Sequence, residues 1–189
     1  MRMLFLNIFA LMIFVGNLYA KDILAESSPV TPVAIKNFDP TVISGKWYEI
    51  SRLPTYFARH CLAPVTSEFF VESGEIELKN TCATVSGDKE DFNAIIYLSK
   101  ENYAGDGRLT ATSMPIWLRW THLGRNDYWV LYLDKDYFLA GTPDSKYLWL
   151  FARAESPPLK DVQRILGIAK KQGFDLSQMV FNYPSYYVE

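Results

Sequence analysis

Between residues 46 and 153 apolar and polar positions alternate in short runs, and turn-forming residues cut the runs apart at close intervals. The breaks are Ser73-Gly74, Ser86-Gly87-Asp88, Gly105-Asp106-Gly107, Gly124-Arg125-Asn126-Asp127, Asp134-Lys135-Asp136 and Gly141-Thr142-Pro143-Asp144-Ser145. Eight strands fit between them, at about 46–53, 63–72, 75–84, 91–99, 107–114, 127–133, 137–140 and 146–153. In the third, Ile76, Leu78 and Cys82 alternate with Glu75, Glu77, Lys79 and Thr81, so one face is apolar and the other wet. The sixth, Tyr128-Trp129-Val130-Leu131-Tyr132-Leu133, is apolar on both faces and therefore needs cover from outside.

One helix can supply that cover. Leu159, Val162, Ile165, Leu166 and Ala169 recur at helical spacing, with Lys160, Arg164, Lys170 and Lys171 elsewhere on the surface. Ser156 ahead of Pro157-Pro158 predicts its N-cap, and Gly173 its end. A shorter helical turn is expected before the first strand, with Asp39 as N-cap and Pro40 at the first helical position. Short antiparallel strands, tight turns and one late helix predict an all-β fold: an eight-stranded antiparallel up-and-down β-barrel with a C-terminal α-helix packed on its outside. Closure removes edge strands, and eight strands leave an interior that is either filled or holds one small ligand.

The first twenty residues do not belong to this pattern. Arg2 precedes an apolar run from Leu4 to Val15, and Asn17-Leu18-Tyr19-Ala20 offers a small residue before Lys21. This reads as a signal peptide over 1–20, too short for a membrane span. Residue 20 is not followed by the cysteine that a bacterial lipid anchor requires, so the mature chain is expected to be exported untethered, periplasmic or secreted. Residues 21–36, with Ser27-Ser28-Pro29 and Thr31-Pro32, read as a flexible arm, leaving 37–189 as one domain.

Two cysteines in an exported chain point to a disulfide. Cys61 and Cys82 flank the hairpin that turns at Ser73-Gly74, and a bulge or bend at Ala63-Pro64 is needed to bring them together. The competing reading, a reactive Cys61 thiol beside His60, suffers because neighbouring residues of a strand point to opposite faces. The formal charge of −2 is one unit more negative without Arg2, and Lys and Arg form no block, so nothing resembles a nucleic-acid footprint. Aromatic residues make up 15% of the chain, enough to fill a core or line an apolar cavity. No Gly-x-Ser-x-Gly, phosphate loop, dinucleotide fingerprint, metal-ligand spacing or paired acid/base carboxylates stand out, so no catalytic residue, metal or cofactor is assigned.

Several segments in order carry a family resemblance: Asn37-Phe38-Asp39, Gly45-Lys46-Trp47-Tyr48-Glu49-Ile50-Ser51-Arg52, Val65-Thr66-Ser67-Glu68-Phe69, Leu133-Asp134-Lys135-Asp136-Tyr137, Tyr147-Leu148-Trp149-Leu150-Phe151-Ala152-Arg153 and Gly173-Phe174-Asp175. Over about residues 37 to 182 the chain resembles a lipocalin, and within that family the bacterial group similar to apolipoprotein D. The resemblance departs at Asp134-Lys135-Asp136-Tyr137, where the family carries Thr-Asp-Tyr.

The resemblance implies a barrel base closed by Gly45, Trp47 and Arg153, with the guanidinium across the indole. It further implies that the open end takes a small hydrophobic ligand, a fatty acid or lysophospholipid, in storage or transport connected with envelope lipid maintenance. Phe69, Phe92, Tyr97, Trp117, Trp129 and Tyr132 are candidates for the ligand site. Arg119 and His122 are candidate polar groups at its rim. The segment Pro115-Ile116-Trp117-Leu118-Arg119-Trp120-Thr121-His122 is either an exposed aromatic loop that meets a lipid surface or a strand extension buried against the arm. A monomer or weak dimer is expected. Two other readings stay open: a lipocalin-type enzyme, and a tetrapyrrole or pigment binder, for which only His60 and His122 are available as axial ligands.

Overall fold

The structure, a computed structural model, describes residues 30–56, 58–72, 74–98 and 105–183. The expected signal peptide, most of the arm and the last residues of the expected domain, 184–189, lie outside the described residues. The eight expected strands are present: β1 (Gly45–Arg52), β2 (Cys61–Glu72), β3 (Glu75–Thr84), β4 (Lys89–Leu98), β5 (Arg108–Thr112), β6 (Arg125–Leu133), β7 (Tyr137–Gly141) and β8 (Leu148–Ala152). Each pairs antiparallel with the next, and β1 pairs with both β8 and β2, so the sheet closes on itself. A two-residue strand, β9 (Val180–Phe181), adds to the end of β1 beyond the point where β2 has left it.

Two apolar cores follow from the period-2 alternation. Inside the barrel are Trp47, Phe69, Ile76, Ile96, Leu109, Val130, Phe138 and Phe151. Outside, α1 (Leu159–Lys171) lays Val162, Ile165, Leu166 and Ala169 against Leu131, Leu139, Leu148 and Leu150. This is the cover that the two-sided β6 requires. The helix starts without the expected cap: its N-cap position is Pro158, with no side-chain hydrogen bond, because the first helical residue is Leu159 and Ser156 stands too early. Asp39 does cap the turn at Pro40–Ile43, a 3-10 helix, accepting from the Thr41 amide at 2.9 Å.

Cys61 and Cys82 form a disulfide, and the β2–β3 register shifts between Leu62 and Thr66, around the cis Ala63–Pro64 bond, where the bend was expected. Closing this loop contributes about 3 kcal/mol on the chain-entropy account. The last part of the expected arm is not loose. Ile35 accepts from the Gly107 amide (2.7 Å) and donates to the Val130 carbonyl (2.8 Å), Phe38 donates to the Gly105 carbonyl, and Phe38 joins the inner core. Gly107 allows this approach, since a Cβ there would lie 2.9 Å from Val130.

Candidate functional site

The base of the barrel is sealed by few groups. Trp47 is fully buried and donates its indole N–H to the Ile43 carbonyl at 2.8 Å. Arg153 lies 3.7 Å over the indole ring and donates to three carbonyls: Lys46 (2.9 Å), Ser44 (2.8 Å) and Val42 (3.0 Å). Partial burial lowers the guanidinium pKa from its ordinary value, but the three acceptors and the ring face suit its charged form. Gly45, at φ +87°, makes the turn beneath this stack. The sequence assignment of Gly45, Trp47 and Arg153 to one cluster thus has a direct geometric counterpart.

With that end fixed as the base, β1 runs from base to mouth and the strands alternate thereafter. The mouth is therefore framed by the β1–β2, β3–β4, β5–β6 and β7–β8 connections. Register then sorts the inward-facing side chains into tiers. The lowest holds Trp47, Phe69, Ile76, Ile96, Leu109, Val130 and Phe138, packed edge-to-face and stacked. Above it come Phe151, Leu78, Tyr128 and Trp149, with Ala94 and Ala111 beside them; the upper collar is Asn80, Phe92, Asn126 and Thr142. The alanines leave space where the floor is filled. The result is a cavity of about 780 Å³, within the span of about 300–1,000 Å³ usual for small-molecule sites.

Two polar features stand beside this cavity, with Glu49 and Tyr128 among its lining residues. Glu49 and Arg52 are both 5% exposed and form an ion pair at 2.7 Å. Arg52 also donates to Asn182 Oδ1 (3.1 Å) and the Ala58 carbonyl (2.7 Å), while Asn182 Nδ2 returns bonds to the Glu49 carbonyl (2.6 Å) and Oε1 (3.0 Å). This cluster fills the seam where β1 exchanges β2 for β9. The second feature is Tyr128, 7% exposed, whose ring packs on Phe138 and Trp149 and whose hydroxyl has no hydrogen-bond partner. Burial and then the charge of Glu49 raise its pKa, so it remains a neutral phenol. An unsatisfied buried hydroxyl costs about 1–3 kcal/mol.

Of the six candidate ligand residues, only Phe92 lines the cavity. Phe69 points inward but lies under the floor, fully buried against Phe138 and Phe151. Tyr97 has the opposite parity to Ile96 and lies on the outer face beneath the Arg125 guanidinium, 5.5 Å away. Trp129 also faces out, toward the α1 core. A bulge between Val130 and Tyr132 keeps Tyr132 on that outer side, where its hydroxyl donates to Asp134 Oδ2 at 2.7 Å. Inward parity would have selected Tyr128 and Trp149 instead, and alanines at inward positions were the signal for open space.

The Pro115–His122 segment is the exposed alternative. It forms a 3-10 turn, Ile116–Thr121, at the mouth, with Trp117 69% and Trp120 78% exposed. Tyr56, Val85, Leu123 and Tyr147 are exposed on the loops around the same opening. Arg119 donates to the Met114 carbonyl (2.9 Å), and His122 closes the turn at φ +62°. Neither side chain is among those that line the cavity, nor is His60; Arg119 and His122 lie on this loop at the mouth.

Comparison with known proteins agrees with this architecture. A family model described as a lipocalin-like domain matches residues 38–184. The outer membrane lipoprotein Blc of Citrobacter freundii is 28% identical over 165 residues, covering 84% of this chain and 88% of that protein. Temperature-induced lipocalin-1 of Arabidopsis thaliana is 26% identical over 149 residues, covering 77% and 78%. Among solved structures, insecticyanin from the tobacco hornworm Manduca sexta superposes with a TM-score of 0.61 at 18% identity, covering 82% of this chain and 84% of its own. Lobster apocrustacyanin A1 gives 0.59 at 14% identity, covering 82% and 91%.

Proposed function

The chain belongs to the lipocalin family, and from that premise we propose that it carries a single-chain amphiphile, a fatty acid or lysophospholipid, with the acyl chain in the barrel and the head group at the mouth. The observation that carries this reading is the one-ended cavity of about 780 Å³ above an aromatic and aliphatic floor. Each methylene moved from water into such a site contributes about 0.8 kcal/mol. The exposed Trp117 and Trp120 at the opening fit a face that rests on a bilayer while the guest is exchanged, since indoles favour the membrane interface. The disulfide suits an oxidising, exported compartment. The Citrobacter relative, an outer membrane lipoprotein by name, supports a role in the cell envelope.

Two assays test the reading. Displacement of a fluorescent acyl probe by hexadecanoic acid and by a lysophosphatidylcholine is expected to saturate at micromolar concentration; no displacement by either defeats it. Co-sedimentation with phosphatidylglycerol-containing vesicles is expected to fall at least fivefold in Trp117→Ser/Trp120→Ser, with acyl displacement in solution unchanged.

A further inference from the structure

A buried carboxylate keeps one of its oxygens for the cavity. Glu49 lies two positions along β1 from Trp47 on the same inward face, pairs with Phe151 of the middle tier and is one of the residues that line the cavity. Its Oε1 takes both hydrogen bonds made to the carboxylate, from Arg52 (2.7 Å) and Asn182 (3.0 Å). Among the described residues no donor reaches Oε2, and unlike the Tyr128 hydroxyl this oxygen is not sealed from accessible surface, although only 7% of the side chain is exposed. Tyr128 stands on β6, with β7 and β8 between it and β1 in the sheet, yet its phenol feels the Glu49 charge, so the carboxylate acts across the barrel interior. We propose that Glu49 Oε2 is the inner anchor of the site and accepts a hydrogen bond from a neutral hydroxyl at the leading end of the guest. The inference rests on the acyl-binding reading and narrows its ligand class to chains hydroxylated at the end remote from the head group.

The chemistry of this oxygen sets that of its partner. An ionised carboxylate only accepts, so a methyl terminus or an ether arriving there would strip water from Oε2 and return no donor. A carboxylate or phosphate head entering first would bring a second negative charge beside the first. An ammonium is disfavoured for a different reason. Arg52 already balances Glu49 and is itself held by Asn182 and the Ala58 carbonyl, so a further cation would leave water for a pair whose charges already cancel. A hydroxyl supplies the donor without a charge. The inward collar of Asn80, Asn126 and Thr142 carries no charge of its own, so the anionic end stays at the mouth.

The test uses hexadecanoic acid and its 16-hydroxy, 2-hydroxy and 16-methoxy derivatives in the same displacement assay. The unmodified protein is expected to bind the 16-hydroxy acid about tenfold more tightly than either the 2-hydroxy isomer or the 16-methoxy acid, which offers an acceptor in place of the donor. Glu49→Gln, whose amide can keep its oxygen on Arg52 and turn its NH2 to the cavity, is expected to bring both ratios near one. Equal binding of the three derivatives by the unmodified protein overturns the inference, and so does a preference that survives in Glu49→Gln. Where that variant does not fold, nuclear Overhauser contacts in the unmodified protein decide. The terminal CH2OH of the bound 16-hydroxy acid is expected against the Glu49 γ-protons, and contacts confined to Tyr56 and Tyr147 at the mouth overturn the assignment. If neither hexadecanoic acid nor any derivative displaces the probe, the acyl reading itself falls and this inference with it; if hexadecanoic acid binds and the derivatives are not discriminated, only the inference falls.

Discussion

Arg153 illustrates how much of the barrel's closure depends on a single side chain. Its guanidinium reaches the carbonyls of Val42, Ser44 and Lys46 while covering the Trp47 ring, joining the entry turn, β1 and the end of β8. Arg153→Ala is expected to lower the unfolding free energy by about 2–3 kcal/mol in urea titration, from lost charged hydrogen bonds and the cation–π contact. Arg153→Lys should recover only part of this, because an ammonium cannot span three acceptors across an indole. These residues were legible in the sequence because Gly45-x-Trp47 and Arg153 sit at strand ends with fixed geometric jobs. Tyr128 was passed over in favour of Trp129 for a different reason. When a strand is apolar on both faces, composition does not say which face is inside; only the pairing with Leu109 and the shared parity with Val130 do.

At the scale of elements, the helix and the barrel wall are coupled through Tyr137, at the start of β7, whose phenol feels the charge of Asp161 in the first turn of α1. Burial chiefly, and then the charge of Asp161, pushes the phenol's pKa from 10.0 up to about 12. The unfolded chain therefore loses this proton first. The stabilisation is complete below about pH 10 and is lost as pH rises from there through about 12. Urea midpoints measured from pH 9 to 12 are expected to fall less steeply in Tyr137→Phe than in the unmodified protein, with Tyr128 contributing to the slope that remains. Strand positions and the helical stripe could be read from the chain because their periods of 2 and 3.6 are strong signals. The bulge that keeps Tyr132 outside adds one residue without changing composition, and a two-residue β9 is too short to show a period. The start of α1 was misplaced because Ser156 has capping chemistry but Pro158 occupies the capping position.

At the scale of the whole molecule, the usable space is set by what is missing from the middle tier. Ala94 and Ala111 stand where larger side chains would merge floor and collar into solid core. Ala111→Phe is expected to shorten the longest saturated acid that displaces the probe by several carbons, with the melting temperature within a few degrees of the unmodified protein. A chain-length series from ten to eighteen carbons reads this directly. If every length is affected equally, the alanine does not define the depth of the site.

The seal at Trp47 and Arg153 also limits how any cargo can travel. With one doorway, a guest leaves by the route it entered, and the doorway meets only a single donor or acceptor at a time. In the transport role proposed above, the protein would act as a ferry and not as a pipeline: it would have to let go of one shore before reaching the next, so its throughput would follow the frequency of its crossings.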